Sequence, residues 1–592
     1  MLETDIERSS SQTALDSIFK SLDDININTT GVNINQEDRD ELSEWIKCQE
    51  DFFYFLVHYV GLDTVGDQTF NYHTGQELLI RTLMTYHKAV VLKSRQIGIT
   101  TVIRAYAVWL AIFNKNYSIG IISKSGPDAT TFIRKCINII DGLPPFLNPG
   151  FKKKTEQQFI LKNESSAMSA SVSAAQPENT LRSNPIVFLI VDEGAFINKI
   201  KDAVSGLFPT TIAIQKAAKS NNIPYGILII STPNKTSGQG KWFFDMYKAA
   251  LNNNYDTSPT NEGYRAIRLH WRDLKGVIDD KCAFGQDYYD EMCATFNYQE
   301  DDIAQEVDCV FLPATKNGLL TSEEVVEINK HIRKPYKSIP SIKGNINIFD
   351  ETIEETKDKR RFVIGVDTAT SNGCNTFSTV EVIDYDTNEQ VAEFIGKPNI
   401  YDYPTVVKSI CKMFMPHIFV IPERNTIGES VTESLCRDKE IGRYCFKTNI
   451  RDPKTRQVIK SFNGIETNAR TKPLYLECVT AWLKENLKCI HSEQAILQIT
   501  QAEVDNGKIT TTPNDTIMAF AFIAYCKRNN LIMFVNKILD EDEYVRRGAV
   551  ADMSEKEMLD YLYDKDRRVY ERNLNSLRKH SHKDWMDSLN DV

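Results

Sequence analysis

Residues 89–101 read AVVLKSRQIGITT, and this stretch decides how the first half of the chain is interpreted. Its apolar start predicts a buried strand, a turn containing Gly98 follows, and the apolar residues after Thr100 recur with a helical period. A loop that opens onto a helix N-terminus binds phosphate through free backbone N–H groups and the helix dipole. The common phosphate loop has lysine directly before its hydroxyl residue, whereas Ile99 stands there. The stretch is a damaged site, a coincidence, or a working site whose lysine lies elsewhere.

The composition is that of a globular protein with several domains. At 592 residues the chain is too long for one ordinary core, so about two to four domains are expected. No apolar run approaches the roughly 18 residues of a membrane span, and the N-terminus lacks a basic, apolar signal, so a cytosolic protein is expected. The 12 cysteines include no C-x-x-C pair, which disfavours a zinc ribbon. A net charge of -10 argues against stoichiometric coating of nucleic acid but not against a local basic groove.

Short β-branched runs alternate with helical segments in two blocks, which predicts two α/β domains. In the first block the runs KAVVLKS, YSIGIIS, QFILKN, PIVFLIVDE and YGILIIST are expected to be buried parallel strands. In the second block RRFVIGVDTAT, STVEVIDYD, QVAEFIGK and PHIFVIPERN are followed by the apolar helix NDTIMAFAFIAYCKR. The predicted domains are a helical, acidic segment 1–65, a nucleotide-binding domain 66–335 with a lid near 245–335, a linker 336–360, a second α/β domain 361–535 and a charged tail 536–592.

Two carboxylates strengthen the reading of the first block as an ATPase. The strand PIVFLIVDE ends in Asp192 and Glu193, at the edge where open α/β sheets bind ligands. We expect Thr100 and Asp192 to hold Mg²⁺, and Glu193 to orient and deprotonate the attacking water. The alternative is a pair of solvated acids at the start of a loop.

Two further segments are candidates for contact with the nucleotide. The strand that ends in STPN places the hydroxyls of Ser231 and Thr232, followed by Pro233, where they could sense the γ-phosphate. Upstream, Gln76 is a candidate reader of adenine, with Tyr72 as its stacking partner.

Three acids of the second block interrupt apolar contexts in a similar way. Asp367 and Glu423 end strands, and Asp515 begins an apolar helix. Three carboxylates brought together suit a two-metal site that cleaves phosphodiesters, with Mg²⁺ or Mn²⁺ as the hard cation. Taken singly, each acid is more often a helix cap or a solvated turn residue.

In their order along the chain, these segments resemble the large terminase subunit of tailed bacteriophages. The phrases that carry the resemblance are KSRQIGITT, DATTFIRKCINIIDGLPPFLNPG, NTLRSNPIVFLIVDEGAFI, IISTPN and IAQEVDCVFLPATKNGLL, and with the second block they span roughly residues 72–527. The resemblance implies a P-loop NTPase domain with a mostly parallel open sheet, followed by a ribonuclease H-like nuclease domain. Some members carry the loop lysine at the first position of the loop, and this chain is similar to those.

The resemblance also implies roles for individual residues. It makes Lys93 the catalytic lysine and Arg95 a second catalytic charge, and the ATP-binding loop then comprises Lys93, Ser94, Arg95, Gln96, Ile97, Gly98, Ile99, Thr100 and Thr101. A lysine stem can deliver its ammonium to the phosphates from either side of so tight a loop. In the nuclease, Lys472 matches a basic position near the DNA. Many members have another acid where this chain has Asn375, so a fourth metal ligand stays open, and Asp384 and Asp386 are interpreted as surface acids.

The function that follows from this resemblance has two activities. ATP hydrolysis would move double-stranded viral DNA into a procapsid, and metal-dependent cleavage would cut concatemers in the host cytoplasm. The implied partners are a portal ring, a small terminase subunit and further copies of this chain. Two alternatives stay open: a helicase-type ATPase fused to a repair or recombination nuclease, and a non-enzymatic capsid-assembly protein with vestigial nucleotide motifs.

Overall fold

The computed structural model describes residues 36–61, 70–173, 175–182, 184–254, 262–297, 299–313, 317–369, 377–425, 427–451, 458–505, 508–509 and 515–534. These residues divide into two compact units. The first unit comprises those up to Arg333 and those of Ile490–Thr511, and the second comprises those of Lys334–Cys489 and those after Thr512. None of the helices in the described ranges is long and apolar enough to cross a membrane.

The α-helices of the described ranges are labelled in chain order. They are α1 Gln36–Glu50, α2 Phe52–Tyr59, α3 Thr74–Tyr86, α4 Ile99–Phe113, α5 Gly126–Asp141, α6 Ile200–Ser220, α7 Lys241–Asn253, α8 Gln286–Thr295, α9 Glu300–Glu306, α10 Ser322–Asn329, α11 Ile353–Thr356, α12 Tyr403–Phe414, α13 Gly428–Cys436, α14 Thr471–Glu485, α15 Glu493–Gln501 and α16 Asp515–Arg528.

Eight strands form the sheet of the first unit. They are β1 Lys88–Lys93, β2 Ser118–Ser123, β3 Phe151–Lys154, β4 Gln158–Leu161, β5 Ser166–Ser171, β6 Phe188–Asp192, β7 Gly226–Ser231 and β8 Arg265–Leu269, in the order β3-β4-β5-β2-β6-β7-β1-β8. From β5 to β8 all neighbours are parallel, as predicted. The run QFILKN forms a strand, β4, but it pairs antiparallel with β3 and β5. The reason is that the short connections on both sides of β4 cannot carry the crossover that parallel neighbours need.

The helical segment before the sheet packs into the core of the first unit. The predicted helical run is broken at Asp51, whose side chain accepts a hydrogen bond from the backbone N–H of Phe53 and so begins α2. The indole of Trp109 in α4 donates to the carbonyl of Cys48 at 2.7 Å. The rings of Trp45 and Phe113 lie 5.3 Å apart.

The second unit is built on a seven-stranded sheet. Its strands are β9 Lys337–Ser341, β10 Gly344–Ile348, β11 Phe362–Asp367, β12 Ser378–Asp384, β13 Gln390–Gly396, β14 Ile418–Arg424 and β17 Ile465–Glu466, in the order β17-β14-β11-β12-β13-β10-β9. Two hairpins stand outside this sheet: β15 Lys447–Arg451 with β16 Val458–Asn463, and β18 Val504–Asp505 with β19 Lys508–Ile509. The strands β13, β12 and β11 are antiparallel and β11 continues in parallel with β14, which is the arrangement of a ribonuclease H-like sheet.

Both sheets confirm the predicted fold class, but two segments differ from the predicted domain plan. Residues 336–360 contain β9 and β10; β10 pairs antiparallel with β13 and β9 pairs antiparallel with β10, so the first half of this stretch is sheet edge rather than linker. Helix α15 packs in the first unit, where Leu497 belongs to the same core as Phe311. The other predicted domain limits remain predictions.

Candidate nucleotide and metal sites

Three strands of the first sheet bring the predicted ATP-site residues to one edge. Strand β7 lies between β6 and β1, with Asp192 paired to Ile230 and Leu92 paired to Ser231. Because the strands are parallel, their carboxyl ends meet at the same edge. Lys93, Asp192 and Ser231 therefore end three adjacent strands.

Lys93 and Glu193 form an ion pair across this edge. The ammonium Nζ lies 3.0 Å from Glu193 Oε1, and the Lys93 side chain is only 7% exposed. The other oxygen of Glu193 accepts from the Ser231 hydroxyl at 3.2 Å and from the Thr232 backbone N–H at 3.4 Å. Burial acts to raise the pKa of Glu193, but the charge and hydrogen bond of Lys93 outweigh it, so the pKa is lowered. Glu193 is therefore ionised, and Lys93 lies at the site despite its unusual place in the loop.

Asp192 has the surroundings expected of a cation ligand. Its Oδ1 is buried without a hydrogen-bond partner among the described residues. Burial and the charge of Glu193 raise the pKa of Asp192 to about 6. A buried carboxylate oxygen that lacks a donor fits a divalent cation, which supplies the missing positive charge. Thr100 and Thr101, in the first turn of α4, are partly exposed.

The effect of Asp192 on stability has a definite sign. A carboxyl group near 3.8 when unfolded and about 6 when folded binds more protons in the folded state between those values, so stability falls as pH rises through that window. We expect Asp192→Asn to raise the stability of the nucleotide-free protein at pH 7 by about 1–2 kcal/mol, a value discounted for partial exposure. The gain should shrink towards pH 4.

Thermal unfolding with chelator at pH 4.5 and pH 7 measures this difference. Asp128→Asn is the matched control, because Asp128 is an exposed acid whose charge also reaches Asp192. An Asp192→Asn protein that is no more stable than the parent at pH 7 would contradict the assigned environment.

The first half of the phosphate loop is anchored by hydrogen bonds to residues of the same unit that are distant in sequence. Ser94 is buried, and its hydroxyl donates to the carbonyl of Val307 at 2.6 Å. Arg95 N–H donates to the carbonyl of Glu306 at 2.7 Å, and Tyr288 donates to the carbonyl of Arg95 at 2.5 Å. The Ser94 side chain and the Arg95 backbone are thus structural anchors, whereas the backbone beyond Arg95 is the part available to phosphate.

Arg95 takes a surface ion pair rather than a position beside Glu193. Its guanidinium donates to Glu306 Oε2 at 2.9 Å, and its side chain is 45% exposed. A catalytic role for Arg95 would require it to exchange Glu306 for a phosphate, so that role remains a prediction.

The second half of the loop is bent and anchored by its apolar residues. Gln96 and Gly98 both have left-handed backbone conformations, with φ of 56° and 71°. Ile97 and Ile99 are buried at 1% and 2% exposure. Ile99 therefore contributes an apolar anchor where the common loop has lysine.

Gln76 lies beside the loop, and both the nitrogen and the oxygen of its side-chain amide already make hydrogen bonds within the protein. Its Nε2 donates to the carbonyl of Gly98 at 3.1 Å and its Oε1 accepts from the backbone N–H of His73 at 3.0 Å. Tyr72, its predicted stacking partner for adenine, stacks instead on Phe53, with ring centroids 4.9 Å apart. This arrangement favours contact of Gln76 with the loop over contact with a base.

The three acids of the second unit lie together. Asp367 and Glu423 end the parallel neighbours β11 and β14, where Val366 pairs with Pro422. Helix α16 packs directly on β11, since a Cβ on Gly365 would lie 2.3 Å from the carbonyl oxygen of Ala519. This close approach brings Asp515, at the start of α16, to the same end of the sheet, where it accepts from the backbone N–H of Phe377 at 2.9 Å.

The raised pKa values of these three acids show that the cluster lacks enough positive charge to balance its carboxylates. Burial, followed by the charges of Glu423 and Asp515, raises the pKa of Asp367 well above its usual range. Burial also raises the pKa of Glu423, and it raises that of Asp515 to about 6. Lys472 is the cation that acts against these shifts at Asp367 and Asp515.

The donor chemistry of the cluster fits a hard divalent cation, because three buried carboxyl groups repel one another unless protons or cations neutralise them. The side chains are not preformed as a cage, however. No group of three His, Cys, Asp or Glu side chains in the described ranges is arranged to hold a metal ion. The interaction with Glu423 contributes to the raised pKa of Asp367, so a proton and a cation would compete for this pair of carboxyl groups.

The remaining acids of the second block lie away from the cluster or outside the described residues. Asp384 pairs with Phe362 at the far end of β11 from Asp367 and is 2% exposed. Its carboxylate meets Arg360 at 2.6 Å, so it is a buried structural acid rather than the predicted surface acid. Asp386 is exposed and paired with Arg361. Asn375 lies outside the described residues.

Sequence reasoning missed three residues that touch or influence the two sites. His73 binds the loop through its imidazole. The exposed Lys124, which follows β2, helps to lower the pKa of Glu193. Asn425 donates to Glu423 Oε2 at 2.7 Å while its own carbonyl accepts from Gly428 N–H at 2.6 Å. The PERN run held a signal for Asn425, because an amide two residues after a strand-ending acid can cap the next helix and bond back.

Together, the strand orders of the two sheets define the fold class: a P-loop NTPase unit and a ribonuclease H-like unit in one chain. Residues 90–324 match the family model described as terminase large subunit, T4likevirus-type, N-terminal. The match confirms the resemblance to terminase large subunits over that range.

Solved structures of large terminases are also similar to this chain. The HK97 bacteriophage large terminase is 11% identical, with 80% of this chain and 99% of that chain covered and a TM-score of 0.35. The ATPase domain from Thermus phage P74-26 is 18% identical over 44% of this chain and 98% of its own, with a TM-score of 0.30. The nuclease from thermophilic phage G20c, with bound cobalt, is 12% identical over 36% and 97%, with a TM-score of 0.26.

Proposed function

We propose that this chain is a terminase large subunit that hydrolyses ATP to translocate double-stranded viral DNA and cuts that DNA in a metal-dependent reaction. The observation that carries the proposal is the ion pair between the buried Lys93 and the partly exposed Glu193, 3.0 Å long, at the mouth of a phosphate loop that has Ile99 at the usual lysine position. Burying a charged lysine opposite an ionised glutamate costs free energy. We therefore do not expect this pair in a vestigial nucleotide site.

In the ATPase, each side chain has a separate task. Lys93 leaves Glu193 for the β- and γ-phosphates when a nucleotide binds, and Glu193 then accepts a proton from the attacking water. Thr100 and Asp192 would hold the Mg²⁺ that accompanies ATP. Ser231 and Thr232, which bond to Glu193, would report the loss of the γ-phosphate to the chain that continues through Pro233.

In the nuclease, Asp367, Glu423 and Asp515 would hold Mg²⁺ or Mn²⁺. Bound metal supplies an activated water and stabilises the leaving oxygen of a phosphodiester. The protein keeps the three carboxyl groups together on β11, β14 and α16, and Lys472 adds positive charge beside them for the DNA backbone. Contact through the backbone suits a substrate that must slide.

The proposal includes the assembly in which such a chain would work. The partners are a portal ring, a small terminase subunit that selects DNA, and further copies of this chain around the portal. The setting is the host cytoplasm, with transient binding to the procapsid.

A triplex-displacement assay tests translocation directly. Purified chain, ATP and Mg²⁺ are added to duplex DNA that carries a labelled third strand, in the presence and absence of portal-bearing procapsids. ATP-dependent release of the third strand while the two strands of the duplex stay paired is the expected result. Separation of the duplex strands would instead indicate a helicase, and absence of ATP hydrolysis under all conditions would indicate a non-enzymatic assembly protein.

A further inference from the structure

His73 and Gln76 tie the start of α3 to the phosphate loop. The Nδ1 of His73 accepts from the backbone N–H groups of Gly75 and Gln76, at 3.1 and 3.4 Å. With two donors at Nδ1, the ring proton lies on Nε2, which donates to the carbonyl of Ile97 at 2.8 Å. The pKa of His73 is lowered by burial, in keeping with a neutral ring. Phe284 packs edge-on against this ring with centroids 5.7 Å apart.

The two side chains bind consecutive carbonyl groups of the loop. His73 takes the carbonyl of Ile97, and Gln76 takes the carbonyl of Gly98 at 3.1 Å. In a planar trans peptide the N–H points opposite to the carbonyl. The N–H groups of Gly98 and Ile99 therefore point away from α3. The Ile99 N–H also lies in the first turn of α4, where it has no intrahelical acceptor.

We propose that His73 and Gln76 are positioning residues that orient the loop N–H groups towards the phosphates of a nucleoside triphosphate, whichever base it carries. This inference rests on the proposed ATPase function and assigns Gln76 a role other than reading adenine. Ile99 then contributes to phosphate binding in two ways. Its side chain anchors the loop, and its backbone N–H donates a hydrogen bond to the phosphate. Backbone donors matter more here because the usual lysine is missing from this end of the loop.

Two substitutions at His73 separate the loop contact from the helix cap. In His73→Asn the amide oxygen replaces Nδ1 as the cap acceptor, but the side chain is too short to reach the carbonyl of Ile97. In His73→Gln the amide nitrogen takes the place of Nε2, and the cap is lost. Gln76→Glu keeps an acceptor for His73 N–H and places a carboxylate oxygen against the carbonyl of Gly98.

The test measures KM and kcat for ATP and GTP, equilibrium binding of a non-hydrolysable triphosphate analogue, and the midpoint of thermal unfolding. In His73→Asn and Gln76→Glu, we expect KM for ATP and GTP to rise by the same factor, about tenfold, with weaker analogue binding and kcat changed by less than about threefold. His73→Gln should keep KM within about threefold of the parent while its unfolding midpoint falls.

Three outcomes would overturn the inference: an unchanged KM in His73→Asn, a change in the ATP-to-GTP preference in Gln76→Glu, or equal KM losses in His73→Asn and His73→Gln. Measurements on the parent protein distinguish failure of this inference from failure of the proposed function. A parent protein that hydrolyses no triphosphate would contradict the ATPase proposal itself. If His73→Asn fails to fold, the comparison between Gln76→Glu and the parent decides the question.

Discussion

Asp367→Ala is expected to abolish cutting of plasmid DNA in Mg²⁺ or Mn²⁺ while ATP hydrolysis stays within about twofold of the parent. The carboxyl group of Asp367 is buried, and its pKa is raised by that burial and by the charges of Glu423 and Asp515. Removing it takes away a central ligand of the proposed metal site, which corresponds to a loss of at least about 100-fold in cleavage rate. The ATPase residues belong to a separate compact unit, so hydrolysis provides an internal control for folding.

Asp384→Ala is the matched control for this experiment. Asp384 is a buried acid on β12, paired with Arg360 at the opposite end of the strand from the cluster. Its removal should lower stability without a specific loss of cutting per folded molecule. Asp367→Asn adds a second measurement, because an amide relieves the repulsion and should raise the unfolding midpoint of the metal-free protein. Cutting that survives in Asp367→Ala would remove the nuclease assignment.

Lys93→Ala should lower the rate of ATP hydrolysis by about 100-fold or more, because no lysine stands at Ile99 to replace it. The same change leaves Glu193 without its ion-pair partner, which at present lies 3.0 Å away. The pKa of Glu193 should then rise, since burial acts in that direction once the charge of Lys93 is gone. Hydrolysis rates between pH 6 and pH 9 would reveal that shift in any residual activity.

Lys124→Ala and Glu306→Gln are the controls for Lys93→Ala. The first tests whether loss of any lysine charge near Glu193 slows hydrolysis, and the second tests the contribution of Arg95. Lys124 is an exposed lysine whose charge also reaches Glu193, so its loss should change hydrolysis by only about threefold or less. Glu306→Gln frees Arg95 from its ion pair. If Arg95 acts on the phosphates, Glu306→Gln should hydrolyse ATP at least as fast as the parent and Arg95→Ala should be slow. If the Lys93→Ala protein hydrolyses ATP as fast as the parent, the assignment of Lys93 is wrong and Arg95 is the residue that acts on the phosphates.

The sequence predicted most of the strands that carry the two sites. The runs that end in Lys93, Asp192, Ser231, Asp367 and Glu423 are all strands, and each is flanked by partners that bury it. A buried strand needs an almost unbroken apolar run, and that pattern is local in the sequence. The site residues themselves remain predictions, although the structure brings the members of each group together.

The sequence was less informative where a partner lies far along the chain. The stretch 336–360 reads as polar and aperiodic, yet β10 gains a place in the sheet by pairing with β13. Helix α15 joins the first unit through contacts such as the hydrogen bond from Tyr247 to Glu493, at 2.7 Å. Pairings of this kind depend on the whole fold, so the segment alone does not show which sheet or unit it joins.

The phosphate loop shows the division most clearly. The sequence by itself determined a strand, a turn at Gly98, a helix and a missing lysine, because each of these follows from neighbouring residues. Only the tertiary structure decided which charges and donors serve the loop: Lys93 meets Glu193, Arg95 turns to Glu306, and His73 binds the carbonyl of Ile97. Each of these contacts joins residues distant in sequence, so its energy is gained only when the whole unit has folded.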